Sequence, residues 1–152
     1  MKHVVILTPE EQSDLRALAA LMIPESKKFS VPGADDPIIF SDIVASMQHE
    51  QNDIKSALKL LSSLSERRLA SLAPADQLEV TLKFRASGNP TVDTLIRHIL
   101  LCYYRDERVM KSLGVEPRPP FPKGFSVEQG DWSLLAPVRA RAPFWRQASQ
   151  DI

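Results

Sequence analysis

The stretch Thr91-Val92-Asp93-Thr94-Leu95-Ile96-Arg97-His98-Ile99-Leu100-Leu101-Cys102-Tyr103-Tyr104-Arg105 decides the fold class of this chain. Val92, Leu95, Ile96, Ile99, Leu100 and Tyr103 recur at the spacing that lines one face of an α-helix. Ser87-Gly88-Asn89-Pro90 is a break before this helix, and from Thr91 the pattern continues or kinks through Tyr104-Arg105-Asp106 into Val109, Met110 and Leu113, with Gly114 as the C-cap.

The same grammar recurs upstream. Thr8-Pro9-Glu10-Glu11 is a helix start: Thr8 caps, Pro9 fits the first turn and Glu11 completes a capping box. Leu15, Leu18, Ala19 and Met22 then share a face until Pro24 ends the pattern, and Gly33 closes a loop where it could take a positive φ that other residues resist. Asp35-Asp36-Pro37 starts a second helix with Ile39, Phe40, Ile43, Val44 and Met47 as its buried stripe. Ile54, Ala57, Leu58, Leu61 and Leu64 continue beyond a polar interval at 49–52, as one long helix or as two. From Pro74 the signal is mixed. Leu78, Val80, Leu82 and Phe84 alternate like a strand, while Leu78 with Leu82 and Glu79 with Lys83 suit a helix. A lone strand would have no ladder partner, so helix is expected. The fold class is therefore mainly α: a small helical domain over 8–114.

From 115 to 152 the chain changes character. Pro117, Pro119, Pro120, Pro122, Pro137 and Pro143 are interleaved with Phe121, Phe125, Trp132, Phe144 and Trp145. Proline at that density excludes a continuous helix or a central strand. A disordered tail has no use for large aromatics. An extended arm that wraps a partner is expected, with packing on its own domain as the alternative.

Of the 152 residues, nineteen are basic and nineteen acidic, so no net field draws the chain to nucleic acid or to an anionic membrane. No segment approaches the roughly 20 apolar residues of a membrane span. Cys102 is the single cysteine, which rules out an intrachain disulfide, and its apolar neighbours make it a small buried hydrophobe. The five glycines write neither a dinucleotide fingerprint nor a phosphate loop. His49 and Asp53 sit at i, i+4 as in a metal-binding helix, but no third ligand follows, and a solvated polar segment is the better account. His98 has no partner that the sequence reveals. No catalytic, cofactor-binding or metal-binding residue is assigned, so the chain is expected not to be an enzyme by itself. An expected cytoplasmic location follows from the lack of an apolar leader or twin arginine.

Several short motifs, taken in order, resemble the gluconate 2-dehydrogenase subunit 3 family. They are the opening helix into Ile23-Pro24, Pro32-Gly33-Ala34 before an acidic helix start, the Tyr103-Tyr104 helix end, and Ser112-Leu113-Gly114 followed by Pro119-Pro120-Phe121-Pro122-Lys123-Gly124. The resemblance implies a small accessory subunit, without a cofactor of its own, that stabilises and matures the large catalytic subunit of an FAD-dependent dehydrogenase of the glucose–methanol–choline type. Its implied substrates are sugars or glycosides, as in a glucoside 3-dehydrogenase or a gluconate or glucose dehydrogenase. It implies partner contacts at Tyr103, Tyr104, Arg105, Pro120, Phe121, Pro122 and Gly124. The aromatic argument adds Trp132, Phe144, Trp145 and Arg146. Many members carry a twin-arginine export signal that this sequence lacks, so a periplasmic location would require the partner to carry the address. The alternative reading is a self-contained helical interaction module with no flavoprotein partner.

Overall fold

Six helices build the first unit of this computed structural model, which describes residues 7–119 and 121–142. They are α1 (Pro9–Met22), α2 (Pro37–Ser46), α3 (Gln51–Ser63), α4 (Pro74–Ala86), α5 (Pro90–Arg105) and α6 (Glu107–Ser112). The chain is mainly helical, and it divides into two compact units, 1–117 and 118–152.

α1 begins as its sequence dictates. Thr8 Oγ1 accepts from the Glu11 amide at 3.2 Å while Glu11 Oε2 accepts from the Thr8 amide at 2.8 Å, a reciprocal capping box. Asp36 caps α2, its Oδ1 accepting from the Ile38 amide at 3.0 Å and from Ile39 at 3.4 Å. Asn89 caps α5 through the Thr91 amide at 3.0 Å, and Asp106 caps α6 through Arg108 at 2.9 Å. Gly114 ends α6 with φ +73°, and the Val115 amide reaches back to the Met110 carbonyl at 2.9 Å. That left-handed stop satisfies carbonyls the helix leaves open.

The interval after α2 resolves into two helices. A 3₁₀ turn, Met47–His49, separates α2 from α3 and buries Met47. A second 3₁₀ turn, Leu69–Ser71, lies against α1. Buried Asp14 holds it there, accepting from the Ala70 amide at 3.1 Å and from Arg68 Nη1 at 3.3 Å. α5 is the central element, packed on α3 and α2. It buries Val92, Leu95, His98, Ile99, Cys102 and Tyr103. The stripe is thus rotated from the expected one: Leu100 is exposed, Ile96 is half-buried, and His98 and Cys102 face inward.

Gly33 departs from expectation. Its φ is not positive; Ser30 takes the left-handed backbone in this loop, at φ 53°. A Cβ on Gly33 would collide with the Asp35 carboxylate and lie 3.0 Å from the Glu25 nitrogen and 3.2 Å from the Ile23 oxygen. Close backbone approach, not a left-handed turn, requires glycine there.

Among its described residues, the second unit holds a loop and two short helical turns. Arg118 stacks on Phe125 at 4.2 Å and donates to the carbonyls of Gly124, at 2.6 Å, and Pro119, at 3.1 Å. A 3₁₀ turn at Trp132–Leu135, capped by Asp131 at 3.0 Å, runs into α7 (Ala136–Arg139). Pro120, Phe144, Trp145 and Arg146, four of the expected contact residues, lie outside the described residues.

Candidate functional site

Polar residues at helical spacing form a seam where α2 and the turn after it meet α5. Asp42, Ser46 and Glu50 descend one side; Arg105, Cys102 and His98 answer from the other. At the upper end Arg105 Nε donates to Asp42 Oδ2 at 2.6 Å, and its Nη2 reaches the second oxygen. This fork raises the Arg105 guanidinium above its ordinary value, the Asp42 hydrogen bond being the main cause.

Lower down, the Ser46 hydroxyl donates to the Ile43 carbonyl at 2.8 Å. Its lone pairs then face His98 Nδ1 at 3.0 Å and Cys102 Sγ at 3.4 Å. His98 Nε2 lies 2.5 Å from Glu50 Oε2, while Arg97 takes Oε1 at 2.6 Å. Both ring nitrogens of His98 thus have a partner, Nδ1 the Ser46 hydroxyl and Nε2 the Glu50 carboxyl. Arg97 first, and His98 second, hold the Glu50 carboxyl below the usual range. Ser, His and Glu in line have the order of a hydrolase triad, but not its proton path. The serine proton points at a backbone carbonyl, and Ser46 ends a helix, where the dipole opposes a developing anion. Burial pushes the Cys102 thiol up, away from nucleophilic reactivity. The seam's chemistry is that of a satisfied polar network.

His49 and Asp53 are both exposed. Among the described residues, no group of three or more His, Cys, Asp or Glu side chains is placed to hold a metal ion. No described helix is long and apolar enough to cross a membrane.

At the end of α5 the expected contact residues separate. Tyr103 is buried in the core, and Arg105 is held by Asp42. Tyr104 stands edge-on to Tyr103, with ring centres 5.3 Å apart, and is 54% exposed. In the second unit, Phe121 is 85% and Trp132 61% exposed, with Pro122 and Gly124 also at the surface. Phe125, Leu134 and Val138, which the sequence did not single out as contacts, are exposed as well. No family model, curated protein or solved structure matches the chain.

Proposed function

We propose that this chain is a non-catalytic small subunit that binds and stabilises the FAD-containing catalytic subunit of a sugar or glycoside dehydrogenase. The observation that carries the reading is the set of exposed aromatic side chains, Tyr104, Phe121 and Trp132, in a chain whose polar seam is internally satisfied. Large aromatics with few rotatable bonds are the usual anchors of protein interfaces. The order of family-like motifs, from Ile23-Pro24 to the Pro119–Gly124 segment, supplies the flavoprotein class of the partner. Binding the folded catalytic subunit and not its unfolded chain would draw that subunit's folding equilibrium toward the active state.

The test is affinity purification of the tagged chain from its native cell extract, scored by mass, flavin absorbance and sugar-dependent dye reduction. A larger yellow partner with sugar-dependent activity is expected, and a chain shortened after Gly114 should lose it. Recovery of a colourless, monodisperse chain would overturn the reading and favour the self-contained module.

A further inference from the structure

Helix α4 has two apolar faces, and only one is covered. Residues two apart lie about 200° apart around a helix, so Val80 and Phe84 point opposite to Leu78 and Leu82. Val80 and Phe84 are buried in the core, whereas Leu78 is 53% and Leu82 58% exposed. These two leucines rim a groove of about 350 Å³ whose other walls include Leu21, Met22, Ile96 and Leu100. The alternation that made this segment resemble a strand is the signature of that second face.

We infer that a second copy of this chain covers it, through antiparallel pairing of α4 with α4 about a twofold axis. The charges on the helix favour this occupant. Glu79 and Lys83 lie on one flank of the leucine stripe, paired within the helix at 2.6 Å. In an antiparallel pair centred between Val80 and Thr81, Leu78 meets Leu82 of the second copy. Glu79 faces Lys83, and Lys83 faces Glu79, by symmetry. Parallel pairing about a twofold would put the two Glu79–Lys83 flanks on opposite sides of the seam, where they would not meet. Each copy offers two leucine knobs and a groove that receives them. The surface is self-complementary in shape and in charge, and the inference does not depend on the flavoprotein reading.

Sedimentation equilibrium of the full chain, from low micromolar to several hundred micromolar, tests it. A concentration-dependent dimer is expected that weakens with added salt. Leu82→Asp should leave a monomer with unchanged helical circular dichroism, since that side chain is outside the core. Glu79→Lys and Lys83→Glu should each weaken the dimer about tenfold, because every exposed pair occurs twice. An equimolar mixture of those two variants should associate as well as the wild type, since each then supplies the charges the other lacks. A wild-type monomer throughout the range would overturn the inference. So would a dimer indifferent to Leu82→Asp, or two charge variants that fail to rescue one another. Loss of flavoprotein binding in Leu82→Asp, with the wild type monomeric alone, would assign the face to the heterologous partner instead.

Discussion

Replacing Gly33 with alanine tests whether the loop between α1 and α2 is held by backbone proximity. The added Cβ would meet three things: the Asp35 carboxylate, the Glu25 nitrogen at 3.0 Å and the Ile23 oxygen at 3.2 Å. The carboxylate can rotate away. The backbone atoms cannot, because the Ile23 carbonyl already accepts from the Ala34 amide at 2.9 Å, and the Gly33 carbonyl accepts from the Asp36 amide at 3.1 Å. The loop must therefore shift by a few tenths of an ångström against its own hydrogen bonds, an overpacking strain of about 1–3 kcal/mol. For a helical body of about 110 residues, the unfolding entropy is about 0.23 kcal/mol/K, so the melting temperature should fall by about 4–13 °C. Calorimetry of Gly33→Ala and of Gly33→Ala with Asp35→Ala separates the contributions. The second substitution removes the side-chain clash and should restore only part of the loss. A variant as stable as the wild type, or full rescue by Asp35→Ala, would refute the backbone explanation.

Gly88 should respond for a different reason: a Cβ added there would meet nothing within 4 Å, but the backbone φ is +64°. Gly88→Ala is expected to cost about 1–2 kcal/mol and Gly88→Asn markedly less, a contrast that thermal melts would show and that equal losses would contradict. Arg108 joins the caps of α2 and α6, donating to Asp36 at 2.8 Å and to Asp106 at 3.0 Å, and it holds both carboxyls below their usual range. Because those pKa values are depressed, this stabilisation is complete above about pH 4 and disappears as both carboxyls protonate in stronger acid. Arg108→Leu should lose about 1–2 kcal/mol at neutral pH, discounted for the partial exposure of the arginine, with the two urea-unfolding curves converging in acid. A gap that persists undiminished at low pH would point to packing instead. Glu50→Gln should likewise be less stable than wild type at neutral pH, with the difference narrowing as pH falls below about 4.5, where the carboxylate advantage is lost. A pH-independent difference in urea titrations would remove the ionic account of the Arg97–Glu50 contact.

What the sequence reveals of this fold is local. Thr8 and Glu11, Asp36 and Pro37, and Gly114 act within a turn of their own positions, and each does in the structure what its chemistry requires. His98 is different, because the groups that satisfy it, Ser46 and Glu50, are 52 and 48 residues away. The weak signal lay in α2 and just beyond it, where Asp42, Ser46 and Glu50 recur every four residues. Such spacing reads equally as a solvated face until the opposing helix is known. Gly33 failed for a related reason: its constraint comes from Ile23 and Glu25 across the loop, not from its own φ. The stripe of α5 drifted because this helix packs on α2 as well as α3. A single periodic face describes a helix on the surface better than one in the middle.

The placement of polar and apolar groups separates what folds this chain from what it offers to others. Among the described residues of the helical body, the buried Asp14 and His98 have their partners inside it: Asp14 with Arg68 and the Ala70 amide, His98 with Ser46 and Glu50. Thr81 Oγ1, on the groove side of α4, is buried without one. The exposed apolar groups include Leu78 and Leu82 on α4, Tyr104 on α5, and Phe121, Phe125, Trp132 and Leu134 in the second unit, besides single residues such as Phe29, Ile38 and Leu113. Single exposed hydrophobes need no explanation, but clusters of them in a chain whose polar networks are satisfied do. A polar network that is complete gives a neighbouring molecule little to gain by hydrogen bonding, so apolar burial must carry most of any association. Association through these surfaces should therefore show a pronounced negative heat-capacity change, large relative to its salt dependence. Titration calorimetry at several temperatures reads this directly. A heat-capacity change near zero with steep salt dependence would mean that the charged residues, not the aromatics and leucines, carry the contact.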